Sequence, residues 1–202
     1  MKCSNKLKLC APKPARTQSP KTLGDSLQKL RIMAVYQYFL EVIPKQGILK
    51  KHKEIPKKIN VSTETGYFES DSEIYWIEAK LNPENIIPKI DSIIERANWG
   101  NDKTNFNWKR YTETLDNDAS IYLNETDFTI KEFSFRADLR ENNLEFLKNM
   151  INLAEKNEWL FMDRSGKLMN PNFEEIKISI QNSNAYSFIK DPHKFLDNLN
   201  SK

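Results

Sequence analysis

Arg136, Asp138 and Arg140 stand at alternate positions in FTIKEFSFRADLREN, the stretch from Phe128 to Asn142. On a strand, alternate side chains point the same way and each residue advances about 3.3 Å, so the three charges would share one face at intervals of roughly 6 to 7 Å. Two guanidiniums flanking a carboxylate can hold an anion, dock a partner or, set in a pocket, serve as a carboxylate and arginine enzyme site. The ordinary reading is the polar face of a sheet whose other face, Phe133, Phe135, Ala137 and Leu139, packs on a helix. The alternation also contains a fault. Phe128 and Ile130 set one phase and Phe133 onward sets the other, which predicts a bulge or bend between Ile130 and Phe133.

Other chemistry is harder to assemble. The two histidines, His52 and His193, are far apart, and both cysteines, Cys3 and Cys10, lie at the N-terminus, so zinc sites and thiol or imidazole catalysis lack residues. The five glycines are isolated, so neither a dinucleotide fingerprint nor a phosphate loop can be written, and no cofactor is implied. Acids are plentiful, among them Glu69, Asp71, Glu73, Asp116, Asp118, Asp138 and Asp163, but spacing alone gives no pair whose pKa values are driven apart. Read as loop or edge residues, Glu69, Asp71, Glu73, Tyr75, Asp116 and Asp118 are candidate contacts for a protein partner, beside the charged trio. A nucleic-acid reading rests on the basic run containing Lys50, Lys51 and Lys53 and on FNWKRY. There Phe106, Trp108, Lys109 and Arg110 interleave rings with cations as in a base-stacking platform. A solvated lysine loop and core aromatics explain the same residues.

These side chains must be carried by a sheet and a few helices. Val35 to Ile43 reads as a buried strand ending at Pro44, followed by a basic loop or short helix. EIYWIEAKL carries apolar groups on both faces and reads as a central strand. Asn82 and Pro83 cap a helix whose isoleucines repeat at helical spacing to Ala97. TNFNWKRYT and ASIYLNE read as a hairpin across the LDND turn, and Asn143 to Asn157 as an amphipathic helix. WLFMD and KLM are strands joined by a tight turn at Gly166, and two short helices come after them, opened by Pro171 and by Asp191 with Pro192. The order predicts an α+β fold of two layers, a mostly antiparallel sheet, ferredoxin-like or related, with helices packed on one face.

The 202 residues suffice for one self-supporting domain. Charge divides them. Residues 1–32 hold eight of the basic residues and one acid, leaving 23 basic and 27 acidic residues in 33–202, a net charge of −4 for that part of the chain. The 1–32 segment is expected to be a disordered basic tail, upstream of a biological start at Met33, and 33–202 the single domain. The tail lacks the apolar run of a secretory signal and no span is long and apolar enough for a membrane, so a cytoplasmic location is expected.

MAVYQYFLEVIPKQGI, the FRADLR strand, the WLFMDRSGKLMNP hairpin and the ending NSNAYSFIKDPHKFLDNL together resemble small bacterial proteins, loosely the immunity proteins of polymorphic toxin systems. The resemblance spans roughly residues 33–199 and transfers no catalytic residue. It implies a non-catalytic protein that binds and occludes a toxin, and an acidic domain suits a basic toxin such as a nuclease.

Overall fold

A computed structural model describes residues 36–62, 64 and 68–194; the tail, Met33 and both cysteines lie outside the described residues. Six strands form one antiparallel sheet: β1 (Gln37–Pro44), β4 (Asn105–Tyr111), β5 (Asp116–Leu123), β6 (Ile130–Asp138), β7 (Trp159–Met162) and β8 (Leu168–Met169). Their order across the sheet is β4-β5-β6-β1-β7-β8. A separate hairpin pairs β2 (Val61–Ser62) with β3 (Glu69–Ser70).

Because β1 lies antiparallel to both β6 and β7, the latter two run parallel to each other with β1 between them. The helix α4 (Glu145–Lys156) connects β6 to β7, giving a split β-α-β unit. By the same argument β5 and β1 run parallel across β6, joined through the helices of residues 45–91 and then through β4. The order β5-β6-β1-β7 is thus a ferredoxin-like core, extended by β4 and β8.

The main core lies on one face. Tyr38, Leu40, Val42, Ala119, Ile121, Phe133, Phe135, Ala137, Trp159 and Phe161 project from the strands against Phe146, Leu147, Met150 and Ile151 of α4 and Ile176 and Ile180 of α5 (Phe173–Gln181). Each large apolar side chain withdrawn from water here contributes about 1.5 to 3 kcal/mol. A smaller cluster occupies the opposite face at one end of the sheet: Ile43, Leu160, Met162 and Leu168 pack with Ile48 of α1 (Lys45–His52), Ile59 and Tyr75. Gly47 lets α1 approach Tyr75, since a Cβ there would stand 1.9 Å from the Tyr75 carbonyl oxygen.

Three sequence expectations are corrected. EIYWIEA is a helix, α2 (Glu73–Ala79), whose Tyr75, Trp76 and Ala79 are buried at helical spacing; Trp76 enters the main core and Tyr75 the smaller one. The helix expected from Pro83 to Ala97 is a 3-10 turn, Pro83–Asn85, and one short helix, α3 (Ile87–Asp91). Pro88 has no N–H for the preceding turn, and Glu95 to Ala97 leave the helix to bond alongside β4. LDND is not the turn: Thr112 N–H bonds Leu115 oxygen, and Asp116 to Asp118 already belong to β5. Between α5 and the helical turn expected at Pro192 lies an additional helix, α6 (Asn184–Lys190), capped by Ser183, and Asp191 Oδ1 accepts the Lys194 N–H at 3.0 Å as the expected cap. Residues 192–194 are helical, and 195–202 lie outside the described residues.

The expected phase fault is present. Tyr122 pairs with Glu132 but Leu123 pairs with Ile130, so Lys131 is the extra residue of a bulge. Phe128 stands before it in a turn with φ of 56° and is exposed.

Candidate functional site

β4, β5, β6 and the start of β1 turn their second face away from the main core. Cross-strand register brings Lys109 beside Asp118, Asp118 beside Arg136, and Asp138 beside Gln37. The result is a continuous polar network. Lys109 Nζ pairs with Asp116 and lies 3.2 Å from Asp118 Oδ2, while Arg136 Nε donates to Asp118 Oδ1 at 2.8 Å. Gln37 Nε2 donates to the Asp116 carbonyl at 2.7 Å and to Asp118 Oδ2 at 3.2 Å.

Asp138 ties the end of the sheet. Its carboxylate accepts from Arg140 Nε at 2.9 Å, from the Arg140 backbone N–H at 2.9 Å and from the Asp116 N–H at 2.8 Å. Asn117 Oδ1 in turn accepts the Asp138 N–H at 2.7 Å. Side chains thereby replace ladder bonds where β5 and β6 begin to part. The bond to Asp138 and its charge raise the pKa of Arg140, against the opposing effect of burial, and its guanidinium covers the Tyr36 ring at 4.1 Å.

Depth orders the charges. The side chains of Asp116, Asp118 and Asp138 are 6%, 12% and 0% exposed, whereas Lys109, Arg136 and Arg140 retain 23%, 41% and 30%. The acids sit at the level of the strands and the cations lie over them. Tyr111 and Tyr122 extend the same face and are exposed.

The sequence trio is therefore brought together, but Arg140 acts from the turn after β6 rather than from the strand. Asp116 and Asp118, expected as exposed loop acids, are buried strand residues, because β5 begins three residues earlier than the sequence turn implied. Glu69, Asp71, Glu73 and Tyr75 gather elsewhere. Glu69 lies in β3 and Asp71 just after it, both exposed, and Glu73 opens α2, accepting from Asn124 Nδ2 at 2.9 Å. Tyr75, expected at the surface, is buried by the helical turn of α2, its hydroxyl 3.0 Å from His52 Nε2.

The aromatic platform does not form. Trp108 is fully buried, its indole N–H donating to Asp91 Oδ1 at 2.7 Å, and half-buried Phe106 lies beneath the Arg96 guanidinium. Arg110 donates to the Ile93 carbonyl at 3.0 Å. Strand alternation explains this: Phe106, Trp108 and Arg110 face away from Lys109. Lys50 donates to the Glu78 carbonyl at 2.7 Å and Lys53 to the Lys50 carbonyl at 3.2 Å, while Lys51 stands 5.7 Å from the Tyr75 ring centre.

One residue escaped the sequence reading. Glu41 is buried on the polar side of β1 beneath the β2–β3 hairpin, where Ser70 Oγ donates to its two oxygens at 3.0 and 2.9 Å. Burial pushes its pKa up to about 7, against the hydrogen bonds from Ser72 and Ser70 and with Glu132 adding to the rise. A cavity of about 200 Å³ adjoins it, lined also by Phe68, Lys131 and Glu132. The signal was available: a lone acid inside the buried run YFLEVI.

Among the described residues, no three His, Cys, Asp or Glu side chains gather to hold a metal ion, and no helix is long and apolar enough to cross a membrane. Comparison with protein-family models, with curated proteins and with solved structures gave no match.

Proposed function

We propose that this is a non-catalytic partner-binding protein of the immunity type, which docks a cognate bacterial toxin on the polar face of β4, β5, β6 and β1. The observation that carries this reading is the layering of that face. Its carboxylates are buried and bonded to cations and backbone N–H groups, which supports a structural role for them. What reaches solvent is a strip of Arg136, Arg140, Lys109, Tyr111 and Tyr122. Arginine and tyrosine are the side chains that carry binding energy at protein interfaces.

The net charge of −4 over 33–202 supports a basic partner, which long-range attraction would steer to the domain. A cytoplasmic setting remains part of this proposal. Carboxylate and arginine catalysis is less well supported, because neither described cavity is lined by Arg136, Asp138 or Arg140. Nucleic-acid binding loses Trp108 to the core.

The experiment is capture of the partner on tagged protein in its native cell. An equimolar protein should be recovered. Tyr122→Glu should reduce its recovery about tenfold, equivalent to ~1.4 kcal/mol, while Ile178→Glu, on the exposed side of α5, should leave it unchanged. Recovery unaffected by Tyr122→Glu would place docking elsewhere.

A further inference from the structure

Phe39 of β1 is the direct cross-strand partner of Arg136, so the two side chains emerge side by side on the polar face. The guanidinium of Arg164, from the turn between β7 and β8, lies over the same ring, 5.1 Å from its centre. Five arginines fall among the described residues, and four have polar partners. Arg96 bonds Asp91, Arg110 the Ile93 carbonyl, Arg136 Asp118 and Arg140 Asp138. Arg164 is exposed and, among the described residues, has neither a salt bridge nor a hydrogen bond. Arg136 commits only its Nε, leaving its two terminal amino groups without a bond among the described residues.

We infer that Arg164, over the ring of Phe39, and Arg136, the cross-strand neighbour of Phe39, form an anion site that receives a side-chain carboxylate of the protein partner. Both forks keep uncommitted N–H donors among the described residues and the two charges repel, so a bound carboxylate supplies the missing acceptor and relieves the repulsion. Phe39 and Phe68, with ring centres 5.3 Å apart, give the site an apolar floor and wall that strengthen a charged hydrogen bond. Crowding by surrounding atoms and the neighbouring charge of Arg136 both lower the pKa of Arg164, as expected for a cation lacking its counter-ion.

A single carboxylate fits better than a nucleic-acid backbone. Glu132 lies along the same face, and a run of phosphates crossing it would meet its carboxylate. The assignment of the anion to a protein rests on the partner-binding reading, while the anion site itself does not. A basic toxin with one acidic anchor is consistent with both: overall charge steers the encounter and the local fork fixes its register.

The test monitors the side-chain Nε–H resonances of Arg136 and Arg164 by NMR in the intact chain. The probes are a blocked hexapeptide alternating Glu with Leu, the same peptide with Gln for Glu, and hexathymidylate. The Glu peptide should shift both resonances saturably and the Gln peptide should not. Arg164→Gln should weaken the Glu peptide at least fivefold, and Arg164→Lys nearly as much, since lysine lacks the fork. Circular dichroism of both variants should match the parent, because Arg164 lies in an exposed turn. Failure of the Glu peptide to saturate, equal shifts with the Gln peptide, unchanged affinity in Arg164→Gln, or tighter binding of hexathymidylate would each overturn the site. Partner capture that persists through such a failure would leave the docking face standing and remove only the carboxylate anchor.

Discussion

Asp138 has the most to lose from a single change. Its fully buried carboxylate satisfies Arg140 and the Asp116 N–H, so Asp138→Ala frees an exposed guanidinium and leaves a buried strand N–H without an acceptor. Leaving a buried donor unsatisfied costs about 1 to 3 kcal/mol, and urea unfolding should show a loss of that order. Glu41 makes an opposite case. Its folded pKa of about 7 lies above its ordinary 4.5, so its protonated form stabilises the fold at low pH and that contribution is lost as pH rises through 7. The full effect is about 3 kcal/mol at 1.36 kcal/mol per pKa unit. Relative to the parent, Glu41→Gln should gain up to that amount between pH 4.5 and 8, read from denaturant midpoints; a constant difference across the range would refute the assignment. At this scale the sequence showed that Arg136 and Asp138 share a face, because strand alternation is a local rule, but Arg140 lies past the end of β6 and Asp116 and Asp118 join the face from β5. It did not show that the acids lie beneath the cations, which depends on neighbouring strands distant in sequence.

The bulge at Lys131 makes a claim about an element. Tyr122 pairs with Glu132 and Leu123 with Ile130, so removing Lys131 would leave a regular ladder with Ile130 still facing the core. Deletion of Lys131 should therefore preserve the fold and change stability by less than about 1 kcal/mol, whereas deletion of Ser134 would turn one half of β6 over. The Ser134 deletion exposes either Phe133 or Phe135 with Ala137, at a cost of several kcal/mol, about 1.5 to 3 for each large side chain. Thermal melting separates the two outcomes. The phase fault was legible because Phe133, Phe135 and Ala137 alternate strictly. α2 was misread because EIYWIEA is short and apolar on several sides; Tyr75, Trp76 and Ala79 serve two clusters, and only the tertiary setting selects the helix. Pro88 was the overlooked signal that the isoleucine-rich segment could not be one long helix.

For the whole molecule, one face of a ferredoxin-like sheet is spent on the main core and the other is divided. α1, Tyr75 and the β2–β3 hairpin cover the β1 and β7 end, and the polar network occupies the rest. The α+β order was legible from the alternation of periodic segments, while the extra edge strands β4 and β8 required the actual pairing. The central claim is that the uncovered face docks a protein. The most direct test is calorimetric titration of the purified partner into the parent, Tyr122→Glu and Ile178→Glu proteins. One-to-one binding to the parent and to Ile178→Glu with equal affinity is expected, and about tenfold weaker binding to Tyr122→Glu, ~1.4 kcal/mol. Equal affinity for all three, or loss only with Ile178→Glu, would contradict that claim.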